Sequence, residues 1–159
     1  GYVSPILIDL GDDGFELTGL HDAVLFDLDA DGIPNRVSWT AAGASDSFLV
    51  LDRNGNGVIE DGQELFENRT RLASGSPALN GYLALRELDG NGDAVIDASD
   101  GIWPSLQVWT DRNHRIATQG PVREPLPLQG TRARGRQARR GASVQDVRRL
   151  LPGGRALTV

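Results

Sequence analysis

Apolar residues in this chain come in short runs, broken by polar stretches rich in Asp, Asn and Gly. Residues 5–10 (PILIDL), 23–28 (AVLFDL), 37–41 (VSWTA), 47–51 (SFLVL) and 106–110 (LQVWT) carry the bulky and β-branched character of short strands. Two segments read as helices. Residues 64–71 (ELFENRTR) would turn Leu65 and Phe66 inward, and residues 80–88 (NGYLALREL) place Tyr82, Leu85 and Leu88 on one stripe. Residues 99–103 predict a further helical turn, ended by Pro104, and 73–77 (ASGSP) a linker. Trp39, Trp103 and Trp109 are expected in the core. The expected class is α+β, with short strands and two or three helices joined by acidic loops.

Composition narrows this picture. A chain of 159 residues makes one ordinary domain. Without cysteine, disulfides and thiolate metal sites are excluded. No apolar run is long enough for a membrane span, and no basic leader with an apolar stretch is visible. Methionine is absent even at residue 1, so the chain is expected to be a fragment of something longer. The net charge of −6 is divided unevenly, −15 over residues 1–111 and +9 over 112–159. Carboxylates bunched in loops repel one another unless a cation neutralises them.

Those carboxylates are spaced in a particular way. In DRNGNGVIEDGQE, oxygen-bearing side chains fall at every second residue, Asp52, Asn54 and Asn56, and are followed by Gly57. The stretch resembles the start of an EF-hand calcium loop. There, positions 1, 3 and 5 supply side-chain oxygens, a glycine at 6 turns the chain, and position 7, here Val58, gives a carbonyl. A hard dication takes six to eight oxygens at roughly 2.3–2.6 Å, so a short loop must curl its side chains inward. Ile59 would anchor the loop to a core. Position 12 is Gln63. Either the loop is one residue longer and closes on Glu64, or Glu60 and Glu64 share that role. The competing reading is a plain hairpin, because Asn54-Gly55 and Asn56-Gly57 are both turn signals.

Repetition favours the ion. Asp89, Asn91, Asp93, Val95, Asp97 and Asp100 occupy positions 1, 3, 5, 7, 9 and 12 of a second loop, in which Ala94 replaces the position-6 glycine and would be strained. Asp27, Asp29, Asp31 and Gly32 form a third array, with Ile33 offering its carbonyl. Asp9, Asp13 and Gly14 make a partial fourth. Asp111 and Asn113 begin a fifth, but Arg115 falls where a ligand is needed and a guanidinium cannot coordinate a cation.

Taken together, LVLDRNGNGVIEDGQELF and NGYLALRELDGNGDAVIDASD resemble the calcium-binding module of RTX (repeats-in-toxin) proteins of the FrpC type, over about residues 4–114. The glycine-rich nonapeptide repeat of those proteins is absent. The resemblance implies a secreted protein, exported by type I secretion and toxin-related, whose module folds around Ca2+. It also implies self-cleavage at an Asp-Pro bond through an aspartyl anhydride that a lysine amine can capture. The matching dipeptide here is Ser4-Pro5, and the chain has no lysine. Serine has no carboxylate to form the anhydride, so the processing chemistry is expected to be lost and the chain to act as a binding module rather than an enzyme. A calcium-triggered cut at Ser4-Pro5 is the alternative.

The family pattern stops after His114, as a departure of the coding frame would produce, and residues 115–159 form an Arg/Gly/Pro-rich tail. Residues 115–142 carry little apolar content and are expected to be disordered. Residues 143–151 (SVQDVRRLL) predict a short helix capped by Ser143 and Asp146. The arginines could meet nucleic acid or an anionic surface. The tail has no aromatic residue for base stacking, which disfavours nucleic acid. The expected partners are therefore calcium ions, and nothing in the sequence points to a protein partner.

Overall fold

The computed structural model describes residues 5–111, 142–146 and 157–158. Strands predominate. They are β1 (Leu7–Asp9), β2 (Val24–Phe26), β3 (Asn35–Val37), β4 (Asp46–Val50), β5 (Val95–Ile96), β6 (Gln107–Asp111), β7 (Ala142–Asp146) and β8 (Leu157–Thr158). One α-helix, α1 (Gly81–Arg86), is present among the described residues, with single 3-10 turns at Leu20–Asp22, Gly62–Glu64 and Trp103–Ser105. An antiparallel sheet runs in the order β1-β4-β6-β7, with Phe48 opposite Trp109 and Leu49 opposite Val108. β2 pairs with β3 and β5 with β8. Among the described residues, no helix is long and apolar enough to cross a membrane.

Every residue of β4 and β6 is buried, because the sheet is covered on both sides. Alternation along a strand sends successive side chains to opposite faces. Leu49, Leu51 and Val108 therefore pack with Ile6, Phe66, Leu85, Ile96 and Trp103 in one core. Phe48, Val50 and Trp109 pack with Val24, Phe26, Trp39, Ile59 and Leu65 in a second. Trp39 is the hub of the second core, with ring centroids 4.3 Å from Phe48, 5.2 Å from Phe26 and 5.8 Å, edge-on, from Trp109. Burying each of these side chains contributes roughly 1.5–3 kcal/mol. All three tryptophans are core residues, as expected.

The helix is set by its cap. The Asn80 side-chain oxygen accepts the Leu83 N–H at 2.9 Å. Gly81 lets α1 lie against the chain at Phe66, where a Cβ would overlap the Phe66 carbonyl oxygen.

Several expectations are corrected. Among the described residues the α-helical content is one short helix rather than two or three helices. Past Glu64, which ends a 3-10 turn, residues 65–71 are not helical, because Leu65 joins the sheet through a bridge to Val50 and the Thr70 hydroxyl donates back to the Leu65 carbonyl. Leu65 and Phe66 are nonetheless fully buried. Tyr82 lies on the outside of α1, 58% exposed, and the buried face is Gly81, Ala84 and Leu85. The second strand of the first hairpin is 35–37 rather than 37–41. Pro104 sits inside the 3-10 turn rather than ending it. Residues 143–146, assigned to a tail helix, extend the sheet as β7, because β6 has a free edge that an added strand satisfies. The remainder of that expected helix, 147–151, and the expected disorder over 115–141 lie outside the described residues, as does Ser4.

Candidate metal centres

The acidic loops share one backbone frame. Their first aspartate accepts the N–H of the sixth residue in each case: Asp9 from Gly14 at 2.8 Å, Asp27 from Gly32 at 2.8 Å, Asp52 from Gly57 at 2.7 Å and Asp89 from Ala94 at 2.7 Å. The sixth residues all have positive φ, with Gly14 at 95°, Gly32 at 87°, Gly57 at 79° and Ala94 at 65°. So do the fourth, Asp12 at 55°, Ala30 at 53°, Gly55 at 71° and Gly92 at 75°. Asp12, Ala30 and Ala94 are the non-glycine residues with positive φ among those described, and all three lie in these loops. A left-handed L-residue costs roughly 1–2 kcal/mol, and such strain concentrates at functional sites. In three loops the fifth side chain also accepts the N–H of the seventh residue: Asp31 from Ile33, Asn56 from Val58 and Asp93 from Val95. Asp13 departs from this and instead accepts the Ser45 hydroxyl at 3.4 Å.

Two loops close in the same way. The Asp100 carboxylate accepts the N–H of Gly90 at 2.8 Å and of Asp97 at 2.9 Å, the second and ninth residues of its loop. Glu64 accepts the N–H of Arg53 at 3.3 Å and of Glu60 at 2.9 Å, again the second and ninth. Glu64 thus takes the closing place one residue late, and its extra methylene spans the added distance. Glu60 does something else. Its two oxygens accept the amide groups of Asn54 and Asn56, each at 3.0 Å, across the mouth of the loop. In the other loop Asn91 reaches Asp93 at 3.0 Å and Ser99 at 2.8 Å, and Ser99 hydrogen-bonds Asp97 at 2.7 Å. The eighth residues of both loops, Ile59 and Ile96, are anchored in the two cores.

In the third loop, Asp27, Asp29 and Asp31 bring one carboxylate oxygen each within 4.8 Å of one another. The Ile33 carbonyl, expected to face an ion, accepts the Asn35 amide at 3.1 Å, and the Ile33 side chain is exposed. Asp29 Oδ2 pairs with the Arg69 guanidinium at 2.7 Å, while its Oδ1 is buried without a hydrogen-bond partner.

Protonation follows burial. Desolvation pushes the Glu64 carboxyl up to about 7, helped by the charges of Asp52 and Asp61. Glu67 is also pushed up to about 7, again by burial first, with Arg69 opposing and Asp29 adding to the rise. Burial raises Asp61 as well. Asp9 is lowered by the N–H groups of its own loop, Gly14 foremost, and Asp97 by Ser99. Carboxylates held in this way suit a hard cation with oxygen ligands and offer no thiol or imidazole.

Sequence reasoning missed Ser99, Asp61 and Glu67. Ser99 is the eleventh residue of its loop and Asp61 the tenth of its own, both between the ninth and twelfth positions where the motif names its ligands. Glu67 stands in ELFENRT, where a carboxylate beside two fully buried apolar residues was the available signal.

Residues 6–123 match the SPM domain. Over 111 residues the chain is 45% identical to the iron-regulated protein FrpA of Neisseria meningitidis serogroup C, a stretch that makes up 69% of this chain and 10% of that protein. The chain therefore spans about a tenth of that relative's length.

Proposed function

This chain belongs to the SPM-domain family, and from that premise we propose that it is a calcium-dependent folding module of a secreted, RTX-type protein. The recurrence of one loop frame carries the reading. Asp52, Asn54, Asn56, Glu60, Glu64 and the Val58 carbonyl would serve one ion. Asp89, Asn91, Asp93, Asp97, Asp100 and the Val95 carbonyl would serve another, and Asp27, Asp29 and Asp31 a third. Asp9 and Asp13 form the weakest candidate, because Asp13 is engaged by Ser45. A hairpin needs neither the strain at Asp12, Ala30 and Ala94 nor the twice-repeated closing carboxylate.

The mechanism is linkage. An ion that binds only the folded chain stabilises it by RT ln(1 + [L]/Kd), about 2.7 kcal/mol at a hundredfold excess over Kd. Extracellular modules bind calcium at about 10⁻⁴–10⁻³ M, so the chain would stay loose in a calcium-poor cytosol and tighten after export. Near-UV dichroism tests this directly. Trp39 and Trp109 sit in a fixed edge-on pair, so their signal should collapse in EDTA and return with calcium. Identical spectra in both buffers would rule the reading out. The anhydride chemistry of the resembled family has no carboxylate to start from at Ser4, so the intact mass should stay constant when calcium is added.

A further inference from the structure

Four of the seven asparagines in this chain are followed by glycine: Asn54-Gly55, Asn56-Gly57, Asn80-Gly81 and Asn91-Gly92. Three of these pairs lie in the two loops that close on a carboxylate, where Asn54, Asn56 and Asn91 are exposed. An Asn-Gly pair carries its own reaction. The glycine backbone nitrogen can attack the asparagine side-chain carbonyl carbon, because no Cβ hinders its approach. The new N–Cγ bond closes a cyclic imide, the Cγ–Nδ2 bond breaks, and ammonia leaves with the proton of the glycine N–H. Water then adds to either imide carbonyl and opens the ring to aspartate or isoaspartate.

The folded loops hold both reacting groups. The Gly55 and Gly57 N–H groups donate to the two oxygens of Asp52 at 2.8 and 2.7 Å, and the Gly92 N–H donates to Asp89 at 2.7 Å. A nitrogen engaged in this way points its proton, and the lone pair left when that proton departs, at a carboxylate rather than at the amide carbon. The adjacent negative charge also disfavours the anionic nitrogen that the attack requires. The amides are fixed as well. Asn54 Oδ1 accepts the Asn56 N–H at 2.9 Å, Asn56 Oδ1 the Val58 N–H at 2.8 Å and Asn91 Oδ1 the Asp93 N–H at 3.0 Å. The side-chain nitrogens of Asn54 and Asn56 donate to Glu60, and that of Asn91 to Asp93 and Ser99. Asn80-Gly81 stands apart, because Gly81 is buried at the start of α1 against the Phe66 carbonyl.

We propose that Asn54, Asn56 and Asn91 are sites of spontaneous deamidation, and that the loop frame suppresses the reaction for as long as it is formed. The consequence falls on the residues that would hold the ion. Aspartate adds a charge, whereas isoaspartate adds a methylene to the backbone and moves the later oxygens of the loop out of their alternate spacing. A chain whose loops stay open ages at its own ligand positions, and a chain whose loops are closed is preserved. Protection by the frame stands on the hydrogen bonds just given, and its control by calcium rests on the calcium reading above.

Incubation of the full chain at mildly alkaline pH in calcium chloride, in EDTA and in concentrated urea, followed by peptide mapping, tests it. Cleavage after arginine places Asn54 and Asn56 in residues 54–69, Asn80 in 72–86 and Asn91 in 87–112, and fragmentation separates the first two. The gain in mass and the split into two products of different retention report each conversion. All three loop sites should convert in urea, and should do so up to about a hundredfold more slowly with calcium a hundredfold above its Kd, because the reaction follows the open fraction. In EDTA the rates should approach those in urea, and the aged chain should no longer take up calcium in a calorimetric titration. Asp100→Asn in calcium should quicken conversion at Asn91 and leave Asn54 and Asn56 as in wild type. Slow conversion in both calcium and EDTA, with fast conversion in urea, upholds protection by the frame and overturns the calcium reading. Equal rates in calcium and in urea overturn this inference, which falls alone where calorimetry still shows calcium uptake.

Discussion

Raising the pH in the presence of a chelator should weaken this fold, against the usual behaviour of carboxylates. Glu64 and Glu67 are almost wholly buried, and each carboxyl is pushed from 4.5 up to about 7. Below about pH 4.5 both folded and unfolded chains hold these protons, so no penalty exists. Above it the unfolded chain releases them first, and stability falls until the folded groups ionise near 7. At about 1.4 kcal/mol per pH unit, that window is worth about 3 kcal/mol for each carboxylate and about 6 kcal/mol for both. A sum of that size approaches the whole stability of an ordinary domain. Urea unfolding followed by tryptophan fluorescence measures it. With a slope near 2 kcal/mol per molar, the midpoint should drop by about 1.5 M between pH 4.5 and 7.5 for one group and by about 3 M for two. Glu64→Gln and Glu67→Gln should each remove about half of the drop. Asp9 and Asp97 do not interfere, because their values are lowered from 3.8 and their contribution is lost only at more acidic pH. Calcium should flatten the profile by holding Glu64 ionised. A midpoint in EDTA that is level or rises over this window would refute the reasoning.

Further outcomes follow from single contacts. Ala94→Gly should stabilise the chain by about 0.5–1 kcal/mol, seen as a higher melting temperature, because Ala94 is held at φ 65° where glycine is unstrained. Gly62→Ala should destabilise it by about 3 kcal/mol or more in urea, since the added methyl meets the Leu28 backbone, which cannot yield as a side chain would. Leu49→Ala, at a position with no exposure, should cost about 2–5 kcal/mol by the same assay. Asp100→Asn should weaken calcium binding at its loop while leaving the Asp52 loop intact, read by calorimetry, because Asp100 closes only the former.

Local chemistry made much of this molecule legible in its sequence. Alternating oxygens with a turn residue after them announce the loops, because a side chain can take the backbone N–H two residues on, as Asp31, Asn56 and Asp93 do. Apolar runs bounded by Asp and Gly locate several of the strands, and Asn80 announces α1. The tertiary structure decided the remainder. A helical reading of 64–71 fails because β4 offers Leu65 a partner strand and two cores compete for Leu65 and Phe66. The choice between Glu60 and Glu64 as the closing group depends on which carboxylate meets the N–H groups of Arg53 and Glu60, a matter of chain path rather than spacing. Arg69 meets the Asp27 loop only because the fold brings residues 40 positions apart in the chain into one place, as its 2.7 Å contact with Asp29 records. Distances along the chain encode what one loop can do by itself, whereas burial and the meeting of separate loops arise only when the cores close.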